Sequence, residues 1–253
     1  MLSIILPALV AGCIVLLTHI PLGREVIRRG LIFIDLAVAQ IAGLGVIIAY
    51  HFGWHIHGVE AQVAAISSAL VAATVMRLIE KKAGEHLEAY IGVIFILAAS
   101  ASILLLANNP HGSEHLKELL VGQILWVDWI QVAIAAVISI LVFACWYGFR
   151  DSIGSIGFYV LFAVSITVSV QLVGVYLVFS SLIVPALATY RLRESQAMLF
   201  AALIGFSGYL VGLLLSAVFD LPSGAVIVWC LVVSAIIISI MVPSSLKTNT
   251  GIN

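Results

Sequence analysis

The segment LIFIDLAVAQIAGLGVIIAYH (31–51) contains one charged residue, Asp35, and follows directly after Arg28, Arg29 and Gly30. About 20 apolar residues are enough for an α-helix to cross the hydrocarbon core of a membrane. The rest of the sequence has the same character, with 63% hydrophobic residues, 9% charged residues and a mean hydropathy of +1.24. Soluble domains carry roughly 25% charged residues, so the composition predicts an all-α, polytopic membrane protein.

Apolar runs on both sides of this segment predict eight or nine membrane spans in a single transmembrane domain, 1–253. The first run follows Met1 directly and has no basic region before it, so we expect a permanent span rather than a cleaved signal. The run 156–190 could form two short helices or one helix with a re-entrant segment, and Gly174 is the expected break. The candidate spans lie near 3–20, 31–51, 59–79, 89–107, 123–147, 156–172, 174–190, 197–218 and 223–243.

The basic residues fix the orientation of the predicted bundle. With the N-terminus outside and nine spans, Lys117 is the one basic residue that falls on the outer side. Cytoplasmic loops are enriched in Lys and Arg, so this orientation, with a cytoplasmic C-terminus, is strongly favoured. The basic residues on the inner side are Arg24, Arg28, Arg29, Arg77, Lys81, Lys82, Arg150, Arg191, Arg193 and Lys247.

The sequence contains none of the motifs that would indicate catalysis by this chain. It has no GxxxxGK[ST] phosphate-binding loop, no HExxH zinc motif and no GxSxG nucleophile motif. We therefore expect that it is not an enzyme. No basic stripe suggests binding to nucleic acid, and the partner indicated most directly is the lipid bilayer.

A few polar residues lie within the predicted spans. Asp35 and Gln40 are on the second span, and Gln171 is in the run ITVSVQLVGV. Polar groups inside a membrane are costly, so each is a candidate for lining a substrate path. Hydrogen bonding between helices is the alternative interpretation for Asp35 and Gln40.

Histidines are concentrated in the predicted outer loops. His55 and His57 lie in HFGWHIHG (51–58), and His111 and His115 lie in NNPHGSEHLKE (108–118). Imidazole is a common ligand of zinc and similar ions. The first pair is therefore a candidate metal-binding element, although ordinary loop content is an equally open interpretation.

Three segments together resemble the permease family of zinc, manganese and iron ABC importers. The segment VGVYLVFSSLIVPALATYRL (173–192) is similar to the signature of that family, with Gly174, Pro185 and Ala186 in matching places. EAYIGVIFILAASASILLL (88–106) and HLKELLVGQILWVDW (115–129) are similar to two further family segments, in the same order.

The resemblance implies a fold similar to that of the type II ABC importer permeases, in a bacterial inner membrane. It implies that two copies of the permease pair as a homodimer around a central path. A separate ATP-binding-cassette ATPase subunit would hydrolyse ATP, and an extracytoplasmic metal-binding protein would deliver the cargo. The cargo implied is a divalent metal ion, with zinc first and then manganese or iron, and no covalently bound cofactor is expected.

Two departures from the family pattern concern the site and the coupling region. The family has an Asp and a His four residues apart on the second span. Here Gln40 takes the place of the His if Gly45 is aligned, and Ala39 takes it if Asp35 is aligned. Asp35 is then the principal metal candidate, with oxygen rather than nitrogen ligands nearby.

The cytoplasmic segment YGFRDSIGSIGFY (147–159) is shorter than the ATPase-coupling segment of the family. Its candidate coupling residues are Arg150, Asp151, Ser152 and Gly154, with Asp151 expected to cap a short turn.

Two other functions stay open on the sequence. The same fold could carry a metal chelate or a small organic molecule, because the altered second span weakens the assignment to a bare ion. A diverged membrane subunit could also serve as a scaffold that does not transport.

Overall fold

The computed structural model describes residues 2–54, 59–107, 109–110, 112–149 and 153–242. These residues form ten α-helices and two short 3-10 turns, at Gly84–His86 and Ile124–Trp126, without a strand in the described ranges. The helices are α1 Leu2–Arg29, α2 Ile34–His51, α3 Val59–Ala83, α4 Leu87–Leu106, α5 Gly112–Val121, α6 Trp129–Gly148, α7 Ser155–Val173, α8 Val175–Ala188, α9 Glu194–Phe219 and α10 Ser223–Met241.

Eight of these helices are long and apolar enough to cross a membrane, which confirms the predicted all-α membrane bundle. Helices α2 and α7 are the most buried of the eight, whereas α4 and α10 are the least buried. α2 packs against α3 and α4, α1 packs against α6, α8 and α9, and α9 packs against α10. The outer helices present their apolar side chains to the surroundings, as expected where the solvent is lipid.

The remaining two helices are short. α8 has 14 residues, a length of about 21 Å, and α5 has ten residues. α8 begins beside the end of α5 and ends beside the cytoplasmic end of α1, where Arg24 donates a hydrogen bond to the Thr189 carbonyl. α8 therefore runs back from the outer side toward the cytoplasm, and α5 fills the space above it.

The reversal between α7 and α8 occurs at Gly174, as the sequence predicts. Gly174 has φ 80° and ψ 163°, a conformation that is almost confined to glycine. A Cβ atom at this position would overlap the backbone of Gly122, and a Cβ atom at Gly122 would overlap the Val173 carbonyl. The two glycines thus allow the end of α5 to rest directly on the α7–α8 break.

The structure differs from the predicted spans around residues 108–147. The predicted outer loop contains α5, and the span expected to begin at 123 begins instead at Trp129. The reason is a capping box: Asp128 Oδ1 accepts from Gln131 N–H at 2.7 Å, and Gln131 Oε1 accepts from Asp128 N–H at 3.2 Å. These two hydrogen bonds give partners to the backbone N–H groups of Asp128 and Gln131, and they stabilise a helix start at Trp129.

Close packing between helices depends on small residues. Gly208 and Gly212 on α9 lie against Leu231 and Ile227 on α10, at distances that leave no room for a Cβ atom. Gly23 on α1 lies against the Leu182 carbonyl of α8 in the same manner. Such contacts hold helices together where lipid removes the hydrophobic driving force between them.

We predict that Gly174→Ala lowers the stability of the folded protein by about 1–3 kcal/mol, because alanine is strained at this φ and collides with Gly122. The measurement is the thermal unfolding midpoint of the purified protein in detergent. Gly92→Ala is the control, since a Cβ atom at Gly92 meets no neighbouring atom within 4 Å. Equal midpoints for the two variants would contradict the role given to Gly174.

Candidate functional site

A cavity of about 510 Å³ lies between α2, α4, α5 and α8. One face of α2 contributes Leu36, Ala39, Gln40 and Gly43, which recur at the spacing of a single helix face. The wall is mostly apolar, and its polar members come from three helices. These members are Gln40, Ser102, Tyr176 and Ser180.

The polar lining is only partly available to a ligand. The Ser102 hydroxyl donates to the Ala98 carbonyl at 3.0 Å, and the Ser180 hydroxyl donates to the Tyr176 carbonyl at 2.8 Å. Each serine oxygen keeps its acceptor capacity, whereas its hydrogen is already used. The Gln40 amide and the Tyr176 hydroxyl are the polar groups of the wall with the most freedom to meet a solute.

The ends of the cavity differ in character. Three leucines of α5 close the outer end, namely Leu116, Leu119 and Leu120. Toward the cytoplasm, the ring of Phe179 lies parallel to that of Phe33 with centroids 6.4 Å apart. Phe33 immediately precedes α2, so this aromatic pair lies between the cavity and the cytoplasmic end of the bundle.

Asp35 lies in the first turn of α2 and is 1% exposed. Neither of its carboxylate oxygens has a hydrogen-bond partner among the described residues; the N–H groups of Asp35 and Leu36 approach without reaching good geometry. Burying a carboxylate without partners costs several kcal/mol, by an order-of-magnitude estimate. A buried carboxylate of this kind is a candidate for binding a cation.

A second carboxylate lies close to the first. Glu88, in the first turn of α4, is near enough to Asp35 for their charges to interact. Its Oε1 is buried without a partner in the described structure, while the backbone N–H groups of Ile32 and Phe33 approach the same carboxylate. The sequence assigned no role to Glu88, because its proximity to Asp35 depends on how α4 packs against α2.

The structure separates the three residues predicted to line a path. Gln40 lines the cavity, whereas Asp35 lies about one and a half helical turns nearer the cytoplasm and adjoins the cavity residue Leu36 without lining the cavity itself. Gln171 is on α7, which contributes no residue to the cavity wall, and its Nε2 is buried without a partner in the described structure.

The other predicted site residues are distributed as follows. His55 and His57 lie outside the described residues, as do His111, Arg150, Asp151 and Ser152. Gly154 is exposed at the N-cap of α7, where its carbonyl accepts from the Phe158 N–H at 3.2 Å.

Two signature residues lie within α8. Pro185 is buried, and its ring nitrogen offers no N–H to the carbonyl one turn earlier. Ala186 is fully buried beside Gly23 of α1. Ala186 therefore belongs to the contact between α1 and α8, and neither residue is part of the cavity wall.

No group of three or more His, Cys, Asp or Glu side chains within the described ranges is arranged to hold a metal ion. Asp35 and Glu88 are thus two oxygen donors that would need further ligands, such as water, to complete a coordination shell. Carboxylate and water ligands suit manganese and other hard ions better than they suit zinc.

The structure contains one buried polar cluster that the sequence did not suggest. Ser165 of α7 donates a hydrogen bond to the Thr18 hydroxyl at 2.8 Å, and Thr18 lies 3.3 Å from Nδ1 of the fully buried His19. The cluster joins α1 to α7 in the interior of the bundle. Ser165 lies 147 residues from Thr18 in the chain, so periodicity alone could not have indicated the cluster.

A second cavity, of about 560 Å³, opens on the outer side of the bundle between the start of α1, the end of α5 and the α9–α10 turn. It carries charges of both signs, from Glu114, Lys117 and Asp220.

Comparison with known proteins supports the same conclusion as the fold. The chain is 27% identical over 228 residues to the manganese transport system membrane protein MntC of Listeria monocytogenes serovar 1/2a, covering 82% of this chain and 79% of that protein. It is 24% identical over 252 residues to the high-affinity zinc uptake system membrane protein ZnuB of Haemophilus influenzae, covering 91% and 94%.

The fold also matches a solved structure, PsaBC from Streptococcus pneumoniae in complex with Fab. The TM-score is 0.76 at 20% sequence identity, over 95% of this chain and 92% of that chain. The model of the ABC 3 transport family matches residues 1–158 and 144–242. The chain is therefore a multi-pass bacterial inner-membrane protein that belongs to the ABC 3 transport family of metal importer permeases.

Proposed function

We propose that this chain is the permease subunit of an ATP-driven importer and that its cargo is a divalent metal ion. The observation that carries the proposal is Asp35, a fully buried carboxylate without partners in the described structure, whose charge interacts with that of Glu88 and which adjoins the cavity residue Leu36 in the chain. A passing cation would neutralise the two charges, which otherwise destabilise each other in a poorly solvated position.

Manganese or ferrous iron fits this donor set better than zinc, the first candidate from the sequence. Asp35 and Glu88 supply carboxylate oxygen ligands, and Gln40 lies farther along α2 in the cavity wall, where its amide oxygen is a separate oxygen donor. Zinc is more often bound by imidazole or thiolate ligands, whereas carboxylate, carbonyl and water suit manganese. The relatives named for manganese and for zinc support both ions as candidates.

The transport unit that we propose is a homodimer with further partners. Tyr176 and Ile103 line the cavity and remain 52% and 57% exposed, so the single chain leaves its cavity open on one flank. A second copy against that flank would complete the path. An ATP-binding-cassette ATPase would bind at the cytoplasmic side. An extracytoplasmic metal-binding protein would deliver the ion to the second cavity, which opens on the outer side between α1, α5 and the α9–α10 turn.

A metal chelate is the second candidate cargo, and the cavity supports it. A volume of about 510 Å³ is within the range of small-molecule pockets and exceeds what one hydrated ion requires. The mostly apolar wall would also suit an organic shell around a metal better than a bare cation.

Uptake of radiolabelled manganese and zinc by metal-starved cells, with and without this gene, tests the proposed function directly. We expect manganese uptake to fall in the deletion strain and to return when the wild-type gene is restored. Parallel assays with the ion held in a small chelate separate the two cargoes, because a chelate importer would take up the complex. Unchanged uptake of every form of both metals would overturn the proposal.

We predict that Asp35→Asn reduces metal uptake about tenfold or more, as does Glu88→Gln, because each change removes an anionic ligand from the pair. Both substitutions keep the side-chain size, so protein levels in the membrane should stay near those of the wild type. Glu60→Gln is the control, since Glu60 is an exposed carboxylate at the start of α3. Wild-type uptake by the Asp35→Asn variant would remove Asp35 from the site.

We also predict that hydrophilic solutes reach the cavity. In a background without Cys13, Cys145 and Cys230, Ala99→Cys should react with a water-soluble thiol reagent faster than Ala98→Cys. Ala99 lines the cavity, whereas the neighbouring Ala98 is buried against other helices and is 5% exposed. Labelling is followed by mass spectrometry on membrane vesicles, and equal rates at the two positions would show that the cavity is closed to water.

A further inference from the structure

The cytoplasmic end of α1 carries an ion cluster that extends beyond its own helix. Arg29 Nε donates to Glu25 Oε1 at 2.6 Å, and Arg28 pairs with the same carboxylate at 2.6 Å. The Glu25 side chain is 8% exposed, so this carboxylate is held by two guanidinium groups in a partly buried place. Such networks contribute more to stability than isolated surface ion pairs do, because several charge-assisted hydrogen bonds are made to one anion.

Arg29 connects this cluster to the start of α7. Its Nη1 donates to the Ser155 hydroxyl at 3.3 Å, and its guanidinium carbon lies 4.3 Å from the ring centroid of Phe158. Stacking of a guanidinium on an aromatic face adds a favourable cation–π interaction. Ser155 is the first residue of α7, so Arg29 contacts this helix at its N-terminal end, directly after the connection from α6.

The other side of that connection meets the same aromatic ring. Trp146, in the last turn of α6, packs edge-on against Phe158 with centroids 6.1 Å apart. The end of α6 and the start of α7 are therefore joined through the fully buried ring of Phe158, which Arg29 covers.

The same end of α1 is tied to α8 as well. Arg24 donates to the Thr189 carbonyl at 3.3 Å, just beyond the end of α8. Farther along α8, Phe179 and Ser180 line the cavity. A set of contacts thus runs from the start of α7, through the end of α1, to α8, which forms a wall of the cavity.

We infer that Arg29, held by Glu25, is a positioning residue that transmits movement of the start of α7 to α1 and α8 when the ATPase partner acts at the cytoplasmic side. The inference rests on the proposed function, since it requires an ATPase at the cytoplasmic side. Arg29 does not touch the cargo; it keeps the start of α7 and the end of α1 moving together.

Arg28 offers a matched control on the same carboxylate. Within the described structure its polar contacts stay inside α1, and its side chain is 73% exposed, against 23% for Arg29. Arg28→Ala and Arg29→Ala each remove one guanidinium from Glu25, but only Arg29→Ala also removes the contacts with Ser155 and Phe158 of α7. Arg29→Lys keeps the charge next to Glu25 and loses the planar group that stacks on Phe158.

The experiment uses the complex of this chain with its ATPase, isolated from the native host through a tag on the chain and placed in lipid nanodiscs. Hydrogen–deuterium exchange is measured at 22–29 and 153–160, without nucleotide and with ATP plus vanadate. In the wild type and Arg28→Ala, nucleotide should alter exchange in both segments. In Arg29→Ala and Arg29→Lys, the change at 153–160 should remain and the change at 22–29 should be lost.

Transport gives the second readout. Metal imported per ATP hydrolysed should fall about fivefold in Arg29→Ala and stay near the wild-type value in Arg28→Ala, a coupling effect of ordinary size. If Arg29→Ala fails to fold, Phe158→Leu tests the same contact, because it removes the aromatic face and keeps an apolar side chain.

Retention of the exchange change at 22–29 in Arg29→Ala, or its absence there in the wild type, would overturn the inference. Failure of the proposed function would look different: no ATPase would purify with the wild-type chain, or that complex would import no metal.

Discussion

The backbone of Gly122 and the backbone of Gly174 are in direct contact, and much of the bundle is arranged around that contact. Because neither residue has a side chain, the end of α5 can rest on the break between α7 and α8. This contact lets the chain reverse direction with a helix of only 14 residues, and it places α5 over the outer end of α8. The cavity exists in consequence, since α5 closes its outer end and α8 forms one of its walls.

The interior of the bundle combines this close packing with a few buried polar groups that lack hydrogen-bond partners in the described structure. Hydroxyl groups on the helices mostly satisfy themselves by donating to a carbonyl one turn earlier, as in Ser181 and Thr167. Asp35 is different, because no described donor completes its hydrogen bonds. A buried carboxylate of this kind gives the protein an electrostatic reason to attract a cation to Asp35, and this is the physical basis of the proposed metal route.

Helix existence and orientation could be predicted from the sequence, whereas the site could be predicted only in part. Each long helix follows from an apolar run of membrane length, and Gly174 was recognisable as a break. The start of α6 was placed too early, because the Asp128–Gln131 capping box was not recognised in an apolar run. Asp35 and Gln40 were identifiable as polar residues in a span, since burial makes them costly.

The contacts between residues on different helices could not be predicted from the sequence. The proximity of Glu88 to Asp35 depends on the packing of α4 against α2, and the stacking of Arg29 on Phe158 depends on the packing of α1 beside α7. Helical periodicity describes faces of single helices, and it carries no information on which faces meet.

The length of α1 has a consequence for the membrane itself. Its 28 residues span about 42 Å, whereas the hydrocarbon core of a typical bilayer is about 30 Å thick. Since Glu25 and the arginines near it require the polar headgroup region, α1 must accommodate the difference by tilting or by projecting from the bilayer. Bilayer thickness therefore acts on the same helix end that holds α7 and α8, and the acyl-chain length of the host lipids becomes a variable in how this subunit works.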